Sequence, residues 1–120
     1  MSRSILVVDD DRDIRESIGT ILSEEGYEVR MAANGLEALR LMGDRAPDLL
    51  LLDLMMPVMD GWQVMRVLRA DKTLQRVPVV VLSALSAPGC ADYIQKPISL
   101  DKLIQLVDAV RSKAPTDDPN

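Results

Sequence analysis

Asp9, Asp10, Asp53, Ser83 and Lys96 each stand at or just beyond the end of a short apolar run. Singly, each has an ordinary structural use. Asp9 and Asp10 could cap a following helix, Asp53 could close an Asx turn, Ser83 could bond to backbone, and Lys96 could sit on the surface. Brought to one crevice, they become a reactive set. Two carboxylates about 4 Å apart repel by roughly 4 kcal/mol at an effective dielectric of 20, and one lysine cannot neutralise three acids. A divalent cation can. With only hard oxygen donors at hand, Mg²⁺ or Mn²⁺ is the expected ion. A carboxylate beside such an ion, with an ammonium and a hydroxyl ready for further oxygens, suits phosphoryl transfer to the carboxylate itself.

The elements that must position these groups can be read in order. Residues 5–8, 49–52 and 79–82 are continuous apolar runs, the pattern of strands buried on both faces. Residues 28–32 alternate polar and apolar and 93–95 form a short run, so both belong at sheet edges. Between the runs lie helical periodicities. Ile14, Ile18, Ile21 and Leu22 share one face, with Gly26 placed to end the helix. Asn34 caps a second helix that should bury Leu36, Leu39 and Met42, and Asp60 caps a third that should bury Val64, Val67 and Leu68. Ser99 caps a last one carrying Leu103, Val107 and Val110. The order predicts an α/β fold, a flavodoxin-like three-layer sandwich with a five-stranded parallel sheet in the order 2-1-3-4-5. In that topology strands one, three, four and five deliver the five candidate groups to one edge, the usual ligand crevice of open α/β sheets.

Composition narrows the function classes. At 120 residues with 48% apolar and 28% charged residues, the chain suits one soluble domain, read as residues 1–111 with a disordered tail or linker over 112–120. A net charge of −5 argues against a nucleic-acid surface. The absence of His excludes His-based acid–base catalysis, and the single Cys90 excludes a zinc-thiolate site and an internal disulfide, so a cytoplasmic setting is expected. The first apolar run is too short for a signal peptide or a membrane span.

The sequence resembles the receiver domains of two-component response regulators. The resemblance rests on Val7-Val8-Asp9-Asp10, Leu52-Asp53 with Met56-Pro57 and Met59-Asp60-Gly61, Leu82-Ser83-Ala84, and Gly89 through Pro97. It implies a phospho-accepting switch rather than a turnover enzyme. Asp53 would be the phosphoacceptor, and Asp9, Asp10, Asp53 and the Met55 carbonyl would hold Mg²⁺. Lys96 would pair with a phosphoryl oxygen, Ser83 and Tyr93 would act as switch residues, and Lys96-Pro97 would be a cis peptide. The donor would be a phosphohistidine on a histidine kinase or phosphotransfer protein. The alternative is a phosphorylation-independent module for protein interaction or dimerisation. A metal-dependent phosphatase would want an acid where Met55 stands, and an FMN protein a Ser/Thr/Gly-rich loop where Asp10-Asp11-Arg12 stands.

One departure stands out. Only Leu85, Ser86, Ala87 and Pro88 separate Ser83-Ala84 from Gly89, where the family carries a fourth helix. The helix between strands four and five is therefore expected to be missing or vestigial. Its loss would bare the apolar 79–82 strand and alter the face formed by strands four and five and the last helix, a candidate surface for a homodimer or an effector, unless the loop and Tyr93 cover the gap. Apolar Met55 and Leu85 beside the site predict slow dephosphorylation.

Overall fold

The computed structural model describes residues 3–83, 93–96 and 99–113. Among the described residues, nine elements run in the order β1 (Ser4–Val8), α1 (Arg12–Glu24), β2 (Glu28–Ala32), α2 (Gly35–Asp44), β3 (Leu49–Asp53), α3 (Gly61–Ala70), β4 (Val79–Ser83), β5 (Tyr93–Gln95) and α4 (Leu100–Lys113). All the strands are parallel, in the expected order β2-β1-β3-β4-β5. The connection over 84–92, the Lys96-Pro97 peptide bond, the Tyr93 side chain, and the tail from 114 lie outside the described residues. Helix α4 continues to Lys113, past the domain end read at 111.

The sheet forms because its central strands offer no polar face. Leu49, Leu50, Leu51 and Leu52 are all at most 3% exposed, and burying each contributes about 1.5–3 kcal/mol. Alternate residues serve opposite layers. Ile5, Val7, Leu49, Leu51, Val80 and Leu82 pack with Ile18 and Leu22 of α1 and Leu103 and Val107 of α4. Leu6, Val8, Leu50 and Leu52 pack with Ala38 and Met42 of α2 and Val64 and Leu68 of α3.

Helix ends follow the sequence reading at Asn34, whose side chain accepts from Glu37 N, and at Asp60, which forms a reciprocal capping box with Gln63. Gly26 takes a positive φ of 94° just past α1. Two face assignments are corrected. Leu36 and Val67 point outward, at 54% and 42% exposure, and the buried stripes are Gly35, Ala38, Met42 and Gly61, Val64, Leu68. Each misplaced residue is one helical step of about 100° from the stripe. The expected bare apolar strand is corrected for all but Val79, which is only partly buried. Val80, Val81 and Leu82 are all at most 2% exposed, and Leu54 and Met65 pack against Val81 from the α3 side.

Candidate phosphoacceptor and cation site

Register decides which groups meet. Val8 pairs with Leu52 and Leu52 with Val81, so Asp9 and Asp53 leave adjacent strands at the same level. Ser83 pairs with Gln95, and the next N–H, that of Lys96, donates to the Ser83 carbonyl at 2.7 Å. Lys96 is thereby held at the end of β4, two strands from Asp9. Its ammonium spans the gap, with Nζ 3.0 Å from Asp9 Oδ2 and 3.3 Å from Asp53 Oδ2. Ser83 lies buried at the same edge.

Asp9 and Asp53 are presented by the same local device. Asp9 Oδ1 accepts the N–H of Asp11 at 2.9 Å, and Asp53 Oδ1 accepts the N–H of Met55 at 3.1 Å. Each carboxylate thus folds back on its own chain through one oxygen, as in an Asx turn. The other oxygen is aimed at its neighbour. Apart from the Lys96 ammonium, Asp9 Oδ2 and Asp53 Oδ2 have no partner among the described residues, although both are buried. Asp10 is exposed and closes the cluster, and ligand atoms of Asp9, Asp10 and Asp53 all lie within 4.8 Å of one another.

Those positions fit a hard cation. Oxygens sharing one ion at about 2.1–2.5 Å can lie no more than about 5 Å apart. Two buried carboxylate oxygens that share one ammonium also favour a further positive charge. The cluster can therefore hold a metal ion.

The electrostatics set Asp53 apart. Burial pushes its carboxyl up from the ordinary aspartate value to about 6, the Asp9 charge adds to the rise, and Lys96 opposes it. For Lys96, burial works against the charge, but the two carboxylates outweigh it and hold the amine above the ordinary lysine value.

Several further residues shape the site. Asp11, not Asp9 or Asp10, caps α1, accepting from Asp13 N and Ile14 N. Arg15 donates to the Asp9 carbonyl at 2.8 Å. Gly61 lets the start of α3 sit directly on the end of β3, since a Cβ there would lie 2.5 Å from the Asp53 carbonyl oxygen. Between them, Val58 takes a φ of 72°. Tyr93 pairs with Val81 as the first residue of β5.

Comparison with known proteins agrees with this geometry. Residues 5–108 match the response regulator receiver domain family. The response regulator MprA of Mycobacterium ulcerans is 40% identical over 127 aligned positions, covering 98% of this chain and 54% of the relative. The alignment is longer than the 120-residue chain, so the relative carries segments that have no counterpart here. The chain spans about half the length of the curated relatives it matches. Among solved structures, the signal receiver domain of a signal transduction histidine kinase from Syntrophus aciditrophicus superposes with a TM-score of 0.88 at 32% identity. It covers 99% of this chain and 97% of that one. The chemotaxis protein CheY4 of Vibrio cholerae gives 0.86 at 28%, covering 92% and 99%. Among the described residues no helix is long and apolar enough to cross a membrane. The chain belongs to the response regulator receiver domain family of two-component signalling.

Proposed function

We propose that this receiver domain is an active phosphorylation switch, accepting a phosphoryl group on Asp53 from a phosphohistidine of a histidine kinase or phosphotransfer protein in the cytoplasm. The observation that carries the reading is the pair of buried oxygens on Asp9 and Asp53 that share the single ammonium of Lys96. Asp9, Asp10, Asp53 and the Met55 carbonyl would hold Mg²⁺ or Mn²⁺. When bound, the ion neutralises the acid cluster and the charge on the transferring group.

The ionised Asp53 carboxylate attacks phosphorus in line, forming the oxygen–phosphorus bond as the bond to the imidazole nitrogen breaks. The leaving imidazole keeps that electron pair. Lys96 moves from the two carboxylates toward a phosphoryl oxygen, retaining one charged neighbour in Asp9. Ser83, at the end of the adjacent strand, is placed to follow the phosphoryl group with its hydroxyl. The domain acts on itself and turns over no separate substrate. Apolar Met55, 63% exposed beside Asp53, offers no hydrogen bond to orient a hydrolytic water, so the acyl phosphate should be long-lived.

Incubation with acetyl phosphate and Mg²⁺, followed by intact-mass measurement, tests the reading. The native protein should gain about 80 Da, the mass of one phosphoryl group, and Asp53→Ala should gain nothing. No gain in the native protein would leave the phosphorylation-independent interaction module as the function.

A further inference from the structure

Besides its ion pair with Lys96, Asp9 is held by three hydrogen bonds. Its N–H donates to Ala32 O at 3.2 Å, its Oδ1 accepts from Asp11 N, and its carbonyl accepts from Arg15 Nη1 at 2.8 Å. The third tie is unlike the others. Arg15 comes from the second turn of α1 and reaches back six residues to a carbonyl just beyond β1. That carbonyl belongs to the peptide joining Asp9 to Asp10. Its plane sets the direction in which Asp10 leaves the chain relative to Asp9, and both acids belong to the cation cluster. Rotation of this one peptide would separate the two carboxylates without disturbing the strand.

We infer that Arg15 is a positioning residue for the cation site, locking the Asp9–Asp10 peptide so that the two carboxylates face the same ion. The inference rests on the proposed function and names a part of its machinery outside the acid, hydroxyl and lysine set. Arg15 touches neither the ion nor the reacting atoms. A guanidinium suits the task because its planar fork is rigid and stays charged at all working pH values.

Charge and position make opposite predictions here. As a bare positive charge near a cation site, Arg15 repels the ion, and its removal should tighten binding. As a positioning group, its removal should weaken binding, because the ligands must then be ordered on binding. Position should dominate. A peptide freed at a two-ligand junction loses preorganisation of both acids, whereas a half-buried guanidinium is partly screened by solvent.

The test is Mn²⁺ and Mg²⁺ titration by calorimetry of the wild type, Arg15→Met, Arg15→Gln and Arg15→Lys at fixed ionic strength, with the metal-free melting temperature of each. Arg15→Met should bind Mn²⁺ about tenfold more weakly, the scale of lost outer partners in metal sites, and Arg15→Lys should recover most of the affinity. Arg15→Gln, which is uncharged but can donate, carries the comparison if Arg15→Met does not fold. A folded Arg15→Met that binds as tightly as the wild type, or more tightly, overturns the inference while leaving the proposed function standing, even if its Tm has fallen. A wild type that takes up neither ion overturns the proposed function and the inference with it.

Discussion

The ends of β1 and β3 begin alike and then diverge. Both deliver an aspartate whose Oδ1 accepts the N–H two residues on, and both aim Oδ2 at Lys96. After Asp9 the chain enters α1 within three residues, with Asp11 as cap and Arg15 folded back on the Asp9 carbonyl. After Asp53 it makes a longer loop to α3, exposing Met55 and Val58, and returns so closely that Gly61 rests on the Asp53 carbonyl. One acid is followed at once by a helix that ties its carbonyl, and the other by a longer loop, with its carboxyl raised to about 6. On the proposed function, the difference separates two jobs. A ligand benefits from being fixed, whereas a nucleophile needs an approach path and room for a new group.

The sharpest break of the comparison exchanges the jobs. Asp53→Asn should abolish the gain of about 80 Da from acetyl phosphate. Asp9→Asn should leave the acceptor in place but weaken Mn²⁺ binding by at least about tenfold, or about 1.4 kcal/mol, so that phosphorylation slows and partly recovers as Mg²⁺ is raised. Intact mass over time at several Mg²⁺ concentrations distinguishes the two, and equal loss in both variants would erase the distinction. Next in size is Gly61→Ala. Its Cβ would meet the Asp53 carbonyl oxygen at 2.5 Å and Leu54 Cα at 2.8 Å, both backbone atoms. Relief requires shifting the end of β3 or α3, at a cost of about 1–3 kcal/mol. Urea unfolding should show that loss, and Mn²⁺ affinity should fall with it.

The raised carboxyl of Asp53 gives a pH signature. A carboxyl titrating at 3.8 unfolded and about 6 folded holds its proton more tightly in the native state. Its contribution to stability is therefore greatest at acid pH and declines as pH rises toward and through 6. Asn at this position does not titrate. In chelator-treated buffer, Asp53→Asn should melt above the wild type at pH 7.5, and the gap should close as pH falls from 6 toward 4. A gap independent of pH would show that the Asp53 carboxyl is not raised. Added Mg²⁺ should raise the wild-type Tm more at pH 7.5 than at pH 5, since ion and proton compete for the same carboxylate.

Much of this arrangement is legible in the sequence. The runs at 5–8, 49–52 and 79–82 are apolar without alternation, which only a doubly covered strand tolerates, and parallel register then brings their following residues to one edge. That is why Asp9, Asp53, Ser83 and Lys96 could be grouped from types and spacing. Other features leave no pattern. Leu36 and Val67 are apolar and within one helical step of the buried stripe, so periodicity alone does not separate them from Leu39 or Leu68. The Arg15 bond joins a side chain to a carbonyl, and any residue supplies a carbonyl. Three consecutive aspartates each look like a cap, and the choice of Asp11 depends on β1 and its Asx turn having already used Asp9. Most of the face of β4 expected to be bare is covered, with Leu54 and Met65 against Val81, and Val79 is left partly buried.

The smallest effect bears on the loop that makes β3 unlike β1. Met59 N donates to Pro57 O at 2.8 Å, closing a γ-turn around Val58, whose φ of 72° places a β-branched residue in the left-handed region. Such a residue costs about 1–2 kcal/mol there, and at 76% exposure its side chain gains little from packing in return. Asn tolerates the same backbone. Val58→Asn should therefore stabilise the domain by about 1 kcal/mol, a rise of roughly 3–5 °C in Tm, while Val58→Gly should gain less because a glycine loses more chain entropy on folding. Thermal melts of the metal-free protein check both. A lower Tm for Val58→Asn would show that the valine side chain makes contacts worth more than the strain. A higher Tm with weaker Mn²⁺ binding would show instead that the strained turn helps hold the open side of the site in shape, as Arg15 is inferred to hold the closed side.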